Sequence, residues 1–201
     1  MQRRSFILCL GLGLAGCVST PYLNRLPTEP ELSPTETAAL QDLMVWRAVG
    51  RLAVKSNGAG VNAGFEWQQS GRDSVLLVEG PFGAGRSRIW ASPERIRIEA
   101  AGTTALEFAP PFADIHDALV ERMGFAVPLE SLGFWLRGVP DPNGELEGVS
   151  DLRFKQSGWE VTPDELWSQP GLPARLPRKV TLTQGEIRIR VVIDRWSGAA
   201  P

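Results

Sequence analysis

The 201-residue chain has one histidine, His116, one tyrosine and only two cysteines, Cys9 and Cys17. These shortages remove most of the groups on which enzyme and metal chemistry depend. With a single histidine and no Gly-x-Ser-x-Gly segment, nucleophilic acyl transfer has few candidate residues. No His/Cys cluster has metal-ligand spacing, so no metal site is expected. No Gly-x-x-x-x-Gly-Lys-Ser/Thr segment occurs, which argues against use of a nucleoside triphosphate. His116 could act as a base beside Asp117, but on an amphipathic helix such a residue is ordinarily on the surface. Glu66, Glu79, Glu99 and Asp194 fall on strand-like segments, and two could face each other as a glycosidase pair does. Nothing brings any two together, and charged outer faces account for them. No catalytic residue is assigned, and the chain is read as a non-enzyme. No apolar run reaches the roughly 20 residues a bilayer-spanning helix needs.

A short apolar run does follow Arg3 and Arg4, and it ends in Leu14-Ala15-Gly16-Cys17. A basic start, an apolar core and small residues before a cysteine have the order of a bacterial lipoprotein signal. The alternative is an ordinary secretory signal in which Cys17 is only a neighbour of the cleavage site. The complete Leu-Ala-Gly-Cys box favours lipidation, with S-diacylglycerol and an N-acyl chain on Cys17 and no other cofactor. Cys9 would leave with residues 1–16, so the mature chain would hold no free thiol for a disulfide or a nucleophile. Gln2-Arg3-Arg4-Ser5-Phe6-Ile7 faintly resembles a twin-arginine signal; a basic segment for the general export route is the plainer reading. Val18, where an aspartate would favour retention at the inner membrane, points to the outer membrane.

Removal of residues 1–16 leaves 185 of the 201 residues, enough for one domain with a sizeable core. Arg3 and Arg4 go with them, so the formal charge moves from −2 to −4. A mildly acidic domain gives no reason to expect nucleic acid, nor a surface held to anionic lipid by charge alone. Seven tryptophans against one tyrosine is an unusual balance, suited either to filling a core or to lining an apolar cavity.

Residues 17–33, with Pro21, Pro27 and Pro30, read as a lipidated start and tether. Residues 34–196 read as one domain, and 197–201 as a tail. Ser33-Pro34-Thr35-Glu36 is a capping box, and Leu40, Leu43 and Met44 extend a predicted helix from 34 to 46. Short alternating segments follow: Leu52 and Val54, Phe65 and Trp67, Val75 to Val78, Ile89, then Ile96 and Ile98. Tight polar turns join them into an antiparallel meander. Two helices interrupt it, one through Ile115, Leu119 and Met123 ending at Gly124, the other from Pro128 to Leu136 with Gly138 beyond. Strands resume at Arg153–Gln156, Trp159–Thr162 and Val180–Leu182, with a long loop expected over Pro170–Pro177. In the last strand Ile187, Ile189, Val191 and Ile193 oppose Arg188, Arg190 and Asp194, the clearest period of two in the chain.

Gly80-Pro81-Phe82-Gly83-Ala84-Gly85 suits a hairpin tip, and Phe82 is its only large side chain. Its ring could fold back over the sheet end or project as a wedge into lipid.

In this order, several segments together resemble the LolB family of outer-membrane lipoproteins. They are Trp46 with Gly50-Arg51-Leu52, Phe65-Glu66-Trp67-Gln68, the Gly80-Pro81-Phe82-Gly83 loop, Gly124 before Pro128, and Leu132 with Trp135-Leu136-Arg137-Gly138-Val139-Pro140. Gln156-Ser157-Gly158-Trp159, Leu176-Pro177-Arg178-Lys179 and Trp196 complete the set. The resemblance covers nearly all of the mature domain. It implies a mainly β fold: an open, incomplete antiparallel β-barrel with covering helices and an apolar cavity between them. It also implies a periplasm-facing, lipid-anchored monomer that takes mature lipoproteins from a soluble LolA-type carrier. These would pass to the inner leaflet of the outer membrane. Pro81, Phe82 and Gly83 match the family's membrane-insertion loop, with phenylalanine where leucine is usual. Alternation alone nominates Phe65, Trp67, Ile96, Ile98, Ile189 and Val191 as acyl-cavity lining; a register slip of one residue would turn them outward. The alternative is a structural envelope lipoprotein with a solid β core.

Overall fold

The computed structural model describes residues 31–56, 58–81, 85–112, 114–123, 126–150 and 152–198. Cys17, the tether up to residue 30, Phe82, Gly83 and Gly124 lie outside the described residues.

The chain begins with helix α1 (Pro34–Gln41). Ser33 Oγ accepts the Glu36 N–H while the Glu36 carboxylate accepts the Ser33 N–H, which closes the capping box expected from the sequence. The helix ends at Gln41 and not at 46. Leu43 and Met44 have helical spacing, but Val45 and Trp46 are already paired in the sheet with Ser70 and Gln69. Pairing with distant strands overrides the local pattern, and Met44 is half exposed.

Six strands follow: β1 (Val45–Ser56), β2 (Ala59–Ser70), β3 (Asp73–Glu79), β4 (Ser87–Ala91), β5 (Ile96–Ala100) and β6 (Leu106–Phe108). Helices α2 (Ile115–Met123) and α3 (Leu129–Leu136) come next, then β7 (Leu146–Ser150), β8 (Arg153–Gln156), β9 (Trp159–Trp167), β10 (Leu176–Gln184) and β11 (Ile187–Gly198). The strands form one antiparallel sheet in the order β6-β5-β4-β3-β2-β1-β11-β10-β9-β8-β7. Every neighbouring pair is a sequential hairpin except β1 with β11, which joins the two ends of the domain. The sheet stays open between β6 and β7, where the chain leaves to form α2 and α3. The fold is the open, mainly β architecture anticipated above. The Pro170–Pro177 loop is shorter than expected, since Leu176 and Pro177 are buried in β10.

Period-2 alternation sends one face inward. Trp67, Leu76, Ile89 and Ile98 are direct partners across four strands, and all are buried. Two glycines allow close approach. A Cβ on Gly50, at the β1–β11 bulge, would lie 2.1 Å from the Val192 carbonyl and 2.9 Å from the Phe65 ring. Gly138 ends α3 at φ +80°, and a Cβ there would meet Pro177 at 2.9 Å.

Candidate functional site: an apolar cavity open at one end

Antiparallel alternation gives the sheet two distinct ends. The turns β1–β2, β3–β4, β5–β6, β8–β9 and β10–β11 share the hairpin end. The turns β2–β3 and β4–β5, the 168–175 loop and α1 lie at the other, closed end.

Tryptophans pack toward the closed end. Trp46 stacks on Trp67 with centroids 5.9 Å apart and tilts against Trp196 at 5.3 Å. Gly133 lets α3 rest against Trp46 and Trp67. Arg137 is buried beside this group, its guanidinium 4.4 Å from the Phe134 ring centroid and 5.6 Å from that of Trp46. Arg137 donates to the Gly133 carbonyl at 3.1 Å and to the Leu40 and Leu43 carbonyls at 2.5 and 2.7 Å. Burial pushes the guanidinium down to about 10, opposed by the charge of Asp141. One arginine thus satisfies carbonyls at the end of α1 and ties that helix to α3. A second polar group fixes α3 to the β8 side. Trp135 Nε1 donates to Gln156 Oε1, and Ser131 Oγ donates to Asp141. Gln156 also bonds the backbone N–H and C=O of Asp141. All four side chains are buried and partnered.

Toward the hairpin end the space between sheet and helices is not filled. A cavity of about 530 Å³ lies there. Leu52 and Val54 (β1), Phe65 and Trp67 (β2), Leu76 and Val78 (β3), Ile89 (β4), Leu182 (β10), and Ile189 and Val191 (β11) form its sheet wall. Val127, Leu129, Leu132 and Leu136 form its lid. Ser56, Ala59 and Val61 stand at its mouth, where Val61 is 61% exposed. Among the described lining residues only Ser56 is a polar residue, and none is charged. The volume falls within the roughly 300–1,000 Å³ of ligand pockets in general. A described wall of aliphatic and aromatic side chains without charge is suited to hydrocarbon.

Four of the six nominated lining residues, Phe65, Trp67, Ile189 and Val191, border this cavity. Ile96 and Ile98 are buried on the same face but lie in the packed core, outside the lining. Sequence reasoning missed the lid. Leu129, Leu132 and Leu136 sit at i, i+3 and i+7, a stripe that was legible as a buried face but not as a cavity wall. It also missed Leu76 and Val78, because Val75-Leu76-Leu77-Val78 is a continuous apolar run in which alternation is invisible. Of the tryptophans, only Trp67 touches the cavity, while Trp46, Trp135, Trp159 and Trp196 fill the core.

The carboxylates weighed as a catalytic pair face away from the cavity. Glu66 pairs with Arg47, Glu79 with Arg86, Glu99 with Arg97 and Asp194 with Arg51. The His116 side chain is 72% exposed beside Asp117. Among the described residues no group of three or more His, Cys, Asp or Glu side chains could hold a metal ion, and no helix is long and apolar enough to cross a membrane. Pro81, at the base of the Phe82 loop, is exposed at the hairpin end.

Comparison with known proteins agrees with this geometry. The family model described as outer membrane lipoprotein LolB matches residues 44–196. The outer-membrane lipoprotein LolB of Alkalilimnicola ehrlichii is 32% identical, over 98% of both chains. That of Chromohalobacter salexigens is 29% identical, over 91% of this chain and 85% of its own. In fold the chain is similar to a DUF1329 family protein from Desulfovibrio piger, with TM-score 0.50 and 7% identity over 82% of this chain and 94% of that one.

Proposed function

The chain belongs to the LolB family of outer-membrane lipoproteins, and from that premise we propose that it receives mature lipoproteins from a LolA-type carrier and inserts them into the inner leaflet of the outer membrane. The observation that carries this reading is the uncharged cavity opening beside Val61. An acyl chain in water costs ~0.8 kcal/mol per exposed methylene, so a triacylated cysteine is held back by tens of kcal/mol. Such a cargo crosses an aqueous space only from one apolar shelter to the next. Transfer runs downhill, without a nucleotide, if this cavity holds acyl chains better than the carrier does and worse than a bilayer does. The unfilled space speaks against the solid-core alternative.

In this reading Cys17 carries the lipid that keeps the domain at its target membrane, facing the periplasm as a monomer. Pro81 stands at the same end as the mouth, and in this reading the Pro81-Phe82-Gly83 segment enters the bilayer surface. The test is transfer of a fluorescently labelled lipoprotein from the carrier to this protein and then to liposomes. Wild type completes both steps. Phe82→Glu accepts cargo at the wild-type rate and delivers it at least tenfold more slowly, on the order of one lost aromatic insertion. Equal delivery by Phe82→Glu would remove the loop from the mechanism, and no uptake by wild type would remove the cavity.

A further inference from the structure

Several arginines on or beside the strands are neutralised in place: Arg47 by Glu66, Arg51 by Asp194, Arg86 by Glu79, and Arg97 by Glu99 and Glu107. The hairpin end of β1 and β11 is different. Lys55 and Arg188 are direct cross-strand partners, and Arg190, two residues along β11, points the same way. All three are exposed. Like charges placed directly opposite on a sheet are destabilising. No described carboxylate lies within ion-pairing distance of any of them. Glu186 in the β10–β11 turn is near in sequence, and Glu160 lies two strands away in register through Thr183, yet neither forms an ion pair with them. The β1–β2 hairpin that carries Lys55 also carries Ser56, Ala59 and Val61 of the cavity mouth.

We propose that Lys55, Arg188 and Arg190 form a cationic footing for anionic phospholipid headgroups, which turns the cavity mouth toward the bilayer. This rests on the reading of the mouth as the site of delivery. The domain as a whole is acidic, so its far field does not draw it to anionic lipid. Within a Debye length of about 10 Å, however, local charges decide orientation. The apolar rim then meets the hydrocarbon boundary while the three cations sit among the phosphates.

The experiment uses the lipidated protein anchored in two kinds of vesicle: phosphatidylethanolamine with phosphatidylglycerol, and phosphatidylethanolamine with phosphatidylcholine. Carrier-bound labelled lipoprotein is supplied and its insertion rate is read. Wild type inserts faster into the anionic vesicles, and added salt removes the gain. Each cation contributes at most about fivefold, so the full gain is bounded near a hundredfold. The triple variant Lys55→Ala, Arg188→Ala, Arg190→Ala keeps the wild-type rate on neutral vesicles and loses the anionic gain. The charge-preserving set Lys55→Arg, Arg188→Lys, Arg190→Lys retains it. An alanine variant that keeps the gain overturns the footing, as does a wild type that shows none. A loss equal on both vesicles overturns it in favour of carrier docking at these residues. A wild type that inserts nothing into either vesicle defeats the delivery reading itself, and the footing with it.

Discussion

The two ends of this sheet are built on opposite rules. At the closed end Arg137 bonds three backbone carbonyls and Trp196 bonds the Pro177 carbonyl, although the indole N–H groups of Trp46 and Trp167 have no partner among the described residues, and the aromatic side chains pack ring on ring. At the hairpin end several inward side chains, Leu52, Val54 and Val78 among them, are only half-buried around open space, and among the described residues Lys55, Arg188 and Arg190 have no ion-pair partner. The same strands run through both ends, so the difference comes from what the covering segments supply. The covering segment ties Arg137 to α1 at the closed end and ties Trp135 and Asp141 to Gln156 beside the β8–β9 turn, and its described residues over the cavity are three leucines and a valine. A receptor for hydrocarbon needs this division. A fixed frame preserves the cavity when it is empty, and soft walls admit cargo of irregular shape. Closed-end variants should therefore lower stability, and open-end variants should change transport with stability intact.

The largest effect is expected at Arg137. Removal of its side chain takes the guanidinium donors away from the Leu40, Leu43 and Gly133 carbonyls and leaves a void beside Trp46 and Phe134. Arg137→Ala should lose about 3–4 kcal/mol of unfolding free energy in urea, the worth of charge-assisted bonds together with buried acceptors. Arg137→Lys should recover part of that, because an ammonium reaches fewer of the three carbonyls. A loss under about 1 kcal/mol would mean that the closed end is no firmer than the open one.

A smaller effect concerns how α1 is held from outside. Arg175 grips the Glu36 carboxylate at 2.7 and 2.8 Å, and the Ser33 N–H and hydroxyl donate to the same group. The Arg175 guanidinium, with the Ser33 backbone N–H, holds the Glu36 carboxyl far below the usual carboxylate range. The folded state therefore favours the ionised form. Its contribution is complete above the unfolded carboxylate value of about 4.3 and is lost as the pH falls through the depressed folded value. Glu36→Gln should cost about 1 kcal/mol at neutral pH, as loss of a cap does. The melting temperature of that variant should also fall less between neutral pH and strong acid than wild type does. Parallel acid profiles for the two proteins would show that the Arg175 grip adds nothing.

The two ends were not equally legible in the sequence. Strand β11 was plain, because a long strand with one buried face alternates without interruption. Strand β7 was invisible: Leu146 to Ser150 is an edge strand exposed at every position, so no burial period exists to read. The bonds among Ser131, Asp141, Gln156 and Trp135 join residues 10 to 21 apart and carry no local signal. The cavity was legible only as a face. Alternation reports which side chains turn inward, which is why Ile96 and Ile98 were named beside Phe65 and Val191. Whether the space opposite is filled depends on how much α3 and its flanks bring to it, and that is a property of packing between distant segments.

The smallest stability effect is expected at Val61, and it tests the division most directly. This side chain borders the cavity and is 61% exposed, so little apolar surface is buried there on folding. An aspartate in its place keeps its hydration, and Val61→Asp should stay within about 0.5 kcal/mol of wild type in urea. Transport should respond quite differently. Cargo entering the cavity would meet a charge where it now meets a methyl pair, and the carboxylate would have to shed water as the acyl chain slides past. Uptake from the carrier should slow about tenfold, the worth of one valine's contact with hydrocarbon. Val61→Leu, which keeps the apolar rim, should take up cargo like wild type. If Val61→Asp unfolds as readily as Arg137→Ala, the open end is structural after all. Full stability with wild-type uptake would instead place the route of the acyl chains elsewhere on the molecule.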